Sequence, residues 1–109
     1  MTTEEPRAQL TVEGSVLATA LRPLVKRTGL GRKIVTFEFR EGKALIGFDE
    51  MRVAIPAVGV WLGVASVSRA FVRTMAKFEL EKLSTIQIGY HEGRLTIAGR
   101  SHECKWIEP

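Results

Sequence analysis

The stretch "SRAFVRTMAKFEL", residues 68–80, places a basic side chain at every fourth position, at Arg69, Arg73 and Lys77. Residues four apart lie on one side of an α-helix, because each residue turns the chain by about 100°. The opposite side of such a helix carries apolar residues: Phe71, Met75 and Phe78. The spacing therefore predicts an amphipathic helix with an apolar side toward a core and a basic side outward.

The basic side of this helix has two explanations. Solvated helix surfaces routinely carry lysine and arginine, and Ser66 or Ser68 is placed to cap the first turn of such a helix. Alternatively, the basic side faces an anionic partner. The distribution of charge along the rest of the chain bears on the choice between them.

Acidic and basic residues are segregated along the chain of 109 residues, whose net charge is +4 and whose pI is about 9.6. Residues 14–37 contain five basic residues and no acid, and residues 51–78 contain four basic residues and no acid. All twelve acids lie outside these two ranges. Such segregation produces a field of one sign over part of the surface, which favours an anionic partner.

Residues 14–29, "GSVLATALRPLVKRTG", predict a first helix of the same design. Ser15 is placed to cap it, and Pro23 interrupts one of its backbone hydrogen bonds. Its apolar stripe consists of three leucines: Leu17, Leu21 and Leu24. Because Arg22 and Lys26 lie on the other side, both predicted helices are apolar on one side and basic on the other.

Alternating apolar residues predict strands in the rest of the chain. These strands lie at residues 9–13, in a hairpin over 33–48 that turns at Glu41-Gly42, at 51–59 and 60–66, and at 84–90, 94–99 and 101–107. Asp49-Glu50 is a further predicted turn, and we find no internal repeat. The order strand, helix, four strands, helix, three strands predicts an α+β domain with both helices on one side of an antiparallel sheet.

Composition places the chain among single-domain globular proteins, with residues 1–8 expected to be a flexible tail and residues 9–109 one domain. Hydrophobic residues make up 45% of the chain, which suffices for a core. The tail lacks the features of a signal peptide, and the longest uncharged run, residues 53–68, is too short and interrupted for a membrane span. Cys104 is the single cysteine, which fits a reducing compartment, and we expect the cytoplasm.

The sequence lacks the residue patterns of a catalytic or metal site. His102 and Cys104 are two apart on a predicted strand and form half of a zinc site, but no second ligand pair accompanies them. No Ser-His-Asp order or carboxylate pair has a suitable context. Residues 29–33, "GLGRK", follow a helix rather than a strand, which favours a turn over a phosphate-binding loop. We therefore expect no enzymatic activity, no cofactor and no metal.

The ordered set of these segments resembles one domain of a bacterial DNA sliding clamp, the beta-subunit type of polymerase processivity factor. "LTVEGSVLATALRPLV" is similar to the clamp's opening strand and first helix, and "FEFREGKALIGFDEMRVAIPAVG" to its hairpin and the strand that follows. "SVSRAFVRTM" resembles its second helix, and "IQIGYHEGRLTIAGRSHECKW" its last meander. The likeness covers residues 9–107, and the order of the segments is more specific than any one of them.

The resemblance implies a DNA-clamp-like fold and a non-catalytic protein that binds double-stranded DNA without sequence preference. Clamp domains join edge to edge in a ring, with the sheets outside and the helices facing the phosphates of the threaded duplex. It implies that the inner face holds the basic residues of both helices: Arg22, Lys26, Arg27, Arg69, Arg73 and Lys77. Such contacts neutralise phosphates without reading bases, which permits sliding. The implied partners are duplex DNA, further copies of this chain through sheet edges, and a polymerase or another replication or repair protein.

Several features depart from the clamp pattern. Bacterial clamps have three such domains in one chain and are acidic overall, whereas this chain has one domain and is basic. Glu103 and Lys105 lie where the family has apolar residues, so His102, Cys104 and Trp106 are expected to face inward instead. The family's peptide-binding groove does not map onto these residues. An alternative therefore stays open: a clamp-like protein-interaction module with no direct role in DNA binding.

Overall fold

The computed structural model describes residues 8–26, 34–48 and 51–108, with the side chains of Val25 and Lys26 excepted. Within these ranges the chain forms nine strands, two α-helices and one short 3-10 helix. The strands are β1 (Ala8–Glu13), β2 (Ile34–Arg40), β3 (Lys43–Phe48), β4 (Met51–Pro56), β5 (Val58–Trp61), β6 (Val64–Ser68), β7 (Thr85–His91), β8 (Arg94–Ile97) and β9 (Arg100–Ile107). The helices are α1 (Gly14–Lys26) and α2 (Arg69–Ala76), and the 3-10 helix (Leu80–Lys82) follows α2. The predicted α+β class is confirmed.

The segment between β3 and α2 forms three strands, where the sequence predicts two. The prediction is wrong because backbone pairing changes partner at Ala57, although the alternation of side chains continues. β4 pairs with β3, whereas β5 pairs with β1. Pro56 has no N–H to donate to the sheet. Gly59 has a φ of 149° and lies so close to β1 that a Cβ there would collide with the carbonyl oxygen of Gln9.

The strand order of the sheet is β4-β3-β2-β6-β9-β8-β7-β1-β5. Two units of one design generate it, β1-α1-β2-β3-β4 and β6-α2-β7-β8-β9, in each of which a strand and a helix precede a three-stranded antiparallel meander. The first strand of each unit pairs with the first meander strand of the other, β1 with β7 and β6 with β2. The two units therefore exchange strands, and both are needed to complete the sheet.

The expectation of no internal repeat is wrong at the level of topology. The hairpin turns of the two units are the same, Glu41-Gly42 and Glu92-Gly93, and all four residues have φ angles between 50° and 83°. A basic and then an apolar residue follow each turn, in "EGKA" and "EGRL". Two-residue hairpin loops of this kind require positive φ at both positions, which limits the residues that fit and explains why the two turns share Glu-Gly. The strands require only that apolar and polar side chains alternate, so their residues differ between the two units.

The last strand of each unit pairs with two neighbours in succession. In β9, residues 100–103 pair with β8 and residues 104–107 pair with β6. In the first unit this role is divided between β4 and β5, on either side of Ala57. The N–H of Ala57 donates to the carbonyl of Gly42 over 3.0 Å, as that of Cys104 donates to the carbonyl of Gly93 over 2.9 Å. β5 therefore corresponds to the second half of β9.

Both helices and the sheet contribute to one apolar core. The predicted stripe of α1 is confirmed by three fully buried side chains: Leu17, Leu21 and Leu24. The two helices also contact each other, as expected of helices that lie on one side of a sheet. α1 begins at Gly14, so Ser15, the predicted cap, lies inside the helix. The absence of a side chain at Gly14 lets the carbonyl oxygens of Leu80 and Leu83 approach the start of the helix.

Several predicted features lie outside the described residues: the turn at Asp49-Glu50, the segment 29–33, and residues 1–7 of the tail. β1 begins at Ala8, which is fully buried, one residue earlier than the predicted strand. No helix within the three described ranges is long and apolar enough to cross a membrane.

Candidate nucleic-acid interface

The buried side of α2 includes the predicted Met75 but is rotated away from Phe71, toward Val72 and Arg69. Ser68 caps the helix as expected, since its hydroxyl accepts a hydrogen bond of 3.1 Å from the N–H of Ala70. The buried positions are Arg69, Val72 and Met75. Arg69 is only 9% exposed, so its expected place on an exposed basic stripe is wrong. Because α2 begins at Arg69 with no linker after β6, its first residue stays against the sheet.

The phenylalanines predicted for the apolar side of α2 contact β9 at the margin of the core. Phe71 packs against the ring of His102, with the ring centroids 5.1 Å apart. Phe78 lies under the guanidinium group of Arg100, whose central carbon is 4.4 Å from the ring centroid, and it remains 41% exposed. An exposed cation–π contact of this kind contributes about 0.5–1 kcal/mol. The aromatic residues therefore join α2 to β9, while Val72 and Met75 fill the core.

The exposed side of α2 keeps two of the three predicted cations. Lys77 is exposed and caps the C-terminal end of the helix, and Arg73 is half-buried in the last turn. Ala70 and Thr74 share this exposed side. Cations near a helix C-terminus also interact favourably with the helix dipole, by about 0.3–1 kcal/mol. Both positions thus contribute to helix stability as well as to a positive surface.

α1 contributes Arg22, which is exposed on the side opposite the buried leucines. Lys26 is the last residue of α1, but its side chain lies outside the described part of the structure, as does the whole of Arg27. Pro23 is accommodated within the helix. Since neither α1 nor α2 contains an acid, the charged residues within the two contacting helices are all basic.

Acidic side chains form ion pairs with cations of the sheet and of the 3-10 helix. Lys82 Nζ lies 2.8 Å from the carboxylate of Glu79, just beyond α2. On β2, Glu38 lies 3.5 Å from the guanidinium of Arg40 and 3.7 Å from that of Arg52. These pairs reduce the positive charge of the sheet and of the segment after α2, and so increase the contrast with the two helices.

The residues predicted as half of a zinc site have other contacts. His102 packs on Phe71, and its Nδ1 lies 3.0 Å from the carbonyl oxygen of Glu103. Burial raises the pKa of the Cys104 thiol from 9.0 to about 11, so the thiolate that a metal prefers is disfavoured at neutral pH. In the part of the chain that the structure describes, no group of three or more His, Cys, Asp or Glu residues is arranged to hold a metal ion.

Of the three β9 residues expected to face inward, Cys104 and Trp106 do so, whereas His102 is exposed. Cys104 and Trp106 are half-buried against the core. Trp106 stacks on Tyr90 with ring centroids 4.5 Å apart, and it meets Trp61 edge-on at 5.4 Å. Trp61 in turn donates a hydrogen bond of 3.0 Å from Nε1 to the carbonyl of Phe37. Sequence reasoning missed this aromatic cluster, because its members come from three strands that only the completed sheet brings together.

An open depression of about 290 Å³ lies on the outer face of the sheet, above Gly89 of β7. Its polar lining includes Gln9, Gln87, Thr96 and His91. The Nε2 of Gln9 donates to the Oε1 of Gln87 over 2.6 Å, so these two amides already pair with each other. The lining lacks lysine and arginine, which distinguishes this depression from the basic helices.

Comparison with known protein families finds no family model that matches this chain, and no curated protein sequence matches it. The candidate site is therefore defined by its geometry alone. Two contacting, acid-free helices expose Arg22 and Lys77 and half-expose Arg73. Cations on such a surface can neutralise phosphate groups, whereas they offer no directional pattern for reading base edges.

Proposed function

We propose that this protein binds duplex DNA without sequence preference, as a non-catalytic, sliding-clamp-like protein of the cytoplasm that assembles from several copies with its helices toward the duplex. The observation that carries the proposal is the pair of contacting helices without a single acid, which expose Arg22 and Lys77. The resemblance to bacterial sliding clamps supports it, because that family places its helices on the inner side of a ring of sheets.

The proposed contact residues follow the observed burial. Of the predicted contact residues that the structure describes, Arg22, Arg73 and Lys77 reach the surface, and Lys26 and Arg27 stay in the proposal from their sequence positions. Arg69 is assigned instead to the packing of α2, since it is 9% exposed. Replacement of Arg69 is therefore expected to lower the stability of the fold rather than to remove a phosphate contact.

The small number of cations explains why assembly belongs to the proposal. Five phosphate contacts per copy give a slope of about −4.5 in log affinity against log salt concentration, which is modest beside duplex-binding proteins that make about six to ten such contacts. Joining several copies on one duplex raises the overall affinity without new contacts, because each later contact is intramolecular.

A protein-interaction module is the second candidate function. It is favoured by apolar side chains that the fold leaves exposed on and next to β5, Val58 at 76%, Val60 at 58% and Leu62 at 67%. These residues are on a strand edge and not on the helices, so the two candidate functions use different surfaces.

Titration of two fluorescent duplexes of unrelated sequence at several salt concentrations tests the proposal. We expect equal affinities for the two duplexes and a steep fall in affinity with salt. A protein that binds neither duplex at low salt, or that prefers one of them by a large factor, contradicts it.

A further inference from the structure

One edge of the sheet carries exposed apolar side chains and is unpaired among the residues that the structure describes. β5 is the last strand in the sheet order, and within the described residues it pairs only with β1. Its outward side chains, Val58 and Val60, and the following Leu62 are exposed by more than half. Edge strands are usually protected from further pairing by charge, by a bulge or by a covering segment.

The second unit of the fold shows what such protection looks like at the equivalent position. Val58 lies opposite Thr11, two residues before the last residue of β1, and Lys105 lies opposite Ser66, two residues before the last residue of β6. Ala57 and Cys104, the residues before Val58 and Lys105, also correspond to each other, because their N–H groups donate equivalent hydrogen bonds. A lysine therefore charges the outer side of β9 where β5 has Val58.

The charge pattern indicates what can cover β5. Residues 53–68 contain no charged residue, so this edge offers no complement to a strongly acidic or basic partner. Each copy of the chain carries a net charge of +4, which opposes self-association through most of the surface. The uncharged edge is where two copies approach each other with the least repulsion.

We propose that β5 pairs with β5 of a second copy, antiparallel, about a two-fold axis at Val60. In this register Val60 faces Val60 of the partner subunit, and Val58 faces Leu62 of the partner subunit. Opposite residues of an antiparallel pair point to the same face, so all three exposed apolar side chains find apolar partners. A two-fold axis at Gly59 would instead leave Leu62 unmatched.

This pairing goes beyond DNA binding, because it uses the sheet edge and none of the helical cations. A two-fold interface is self-complementary, so one short apolar strand supplies both of its sides. Loss of DNA binding would leave the pairing unaffected, and loss of the pairing would leave Arg22 and Lys77 in place. DNA binding and this pairing can therefore fail separately, whereas the pairing specifies one contact of the assembly that the proposed function includes.

Disulfide trapping tests the register. In a Cys104→Ala background, Val60→Cys places two thiols opposite each other on the axis, within the separation that a disulfide spans. We expect a covalent dimer on mild oxidation. Val58→Cys alone should give none, and Val58→Cys combined with Leu62→Cys should restore cross-linking. Absence of a Val60→Cys dimer, or equal cross-linking by the Val58→Cys single variant, would overturn the register.

Solution mass tests the pairing without introduced cysteines. Sedimentation of the wild-type chain should show a dimer that dissociates on dilution, and Val58→Lys with Val60→Lys should weaken it by at least about tenfold. The two Val60→Lys side chains would then face each other across the axis, and each Val58→Lys side chain would face the apolar Leu62 of the partner subunit. Thr85→Lys with Ser101→Lys adds the same charge at exposed positions of β7 and β9, and should leave the dimer unchanged. A wild-type chain that stays monomeric up to millimolar concentration, or equal weakening in both double variants, would refute the inference.

Discussion

Arg69 and Val72 lie on the same buried side of α2, at 9% and 0% exposure. The first residue of the helix is thus a packing residue that carries a charge. Arginine is suited to this position because its aliphatic stem can pack along apolar surface while the guanidinium group reaches a polar environment. Replacement of Arg69 is therefore expected to change stability rather than DNA binding.

Replacement of Arg69 by alanine is expected to lower the free energy of unfolding by about 1–3 kcal/mol, through lost packing at the start of α2. Lys77→Ala in the same segment is the matched control and should change it by at most about 1 kcal/mol, because Lys77 is exposed and loses only its interaction with the helix dipole. Denaturant unfolding measures both. Unchanged stability of the Arg69→Ala variant together with weaker DNA binding would return Arg69 to the DNA-binding surface.

Gly14→Ala should destabilise the fold by at least about 1–3 kcal/mol, the usual cost of forcing atoms into a packed site. A Cβ at this position would meet the carbonyl oxygens of Leu80 and Leu83, which are backbone atoms and cannot rotate away. Gly89→Ala is the control, since its Cβ would lie 3.6 Å from the carbonyl oxygen of Ala8, an ordinary contact. Thermal unfolding that ranks Gly89→Ala as the more damaging change would contradict this account of the start of α1.

The thiol of Cys104 should make stability depend on pH in the alkaline range. Burial raises its pKa from 9.0 to about 11, so the folded state holds more protons than the unfolded state between these values. The free energy of unfolding therefore falls as pH rises through this window, and the contribution is fully present below it. We expect Cys104→Ala to show a shallower fall than the wild type in denaturant unfolding. Identical pH profiles would mean that the thiol titrates alike in both states.

The elements that local sequence determines were predictable. The leucine stripe of α1, the hairpin at Glu41-Gly42 and the Ser68 cap each depend on residues within a few positions of one another, and the structure has all three. The inward register of Cys104 and Trp106 also followed from the alternation of β9.

The orientation of α2 was not predictable in the same way. With eight residues, the helix has apolar candidates on two sides, Phe71 on one and Val72 on the other, and periodicity alone does not choose between them. The choice is made by β6, which ends at Ser68 and holds Arg69 against the sheet. The candidate site therefore lost one of its cations to a long-range constraint.

The division of residues 51–61 into β4 and β5 was also not predictable, because it too depends on a long-range constraint. Their side chains alternate without a break, but their hydrogen-bond partners, β3 and β1, come from distant parts of the chain. The repeat did leave a local signal, the turns "EGKA" and "EGRL". That signal is four residues long and is meaningful only once both turns are known to be hairpins.

The salt dependence of duplex binding tests the central claim most directly. Arg22→Ala with Lys77→Ala removes one arginine and one lysine from the helices, and Lys43→Ala with Arg94→Ala removes the same charges from equivalent positions after the two hairpin turns. With both variants folded by circular dichroism, we expect the helix variant to lose about 1.8 from the magnitude of its slope for each copy bound, about 0.9 per phosphate contact, and the hairpin variant to keep the wild-type slope. Equal slopes in the two variants would contradict DNA binding by the helices.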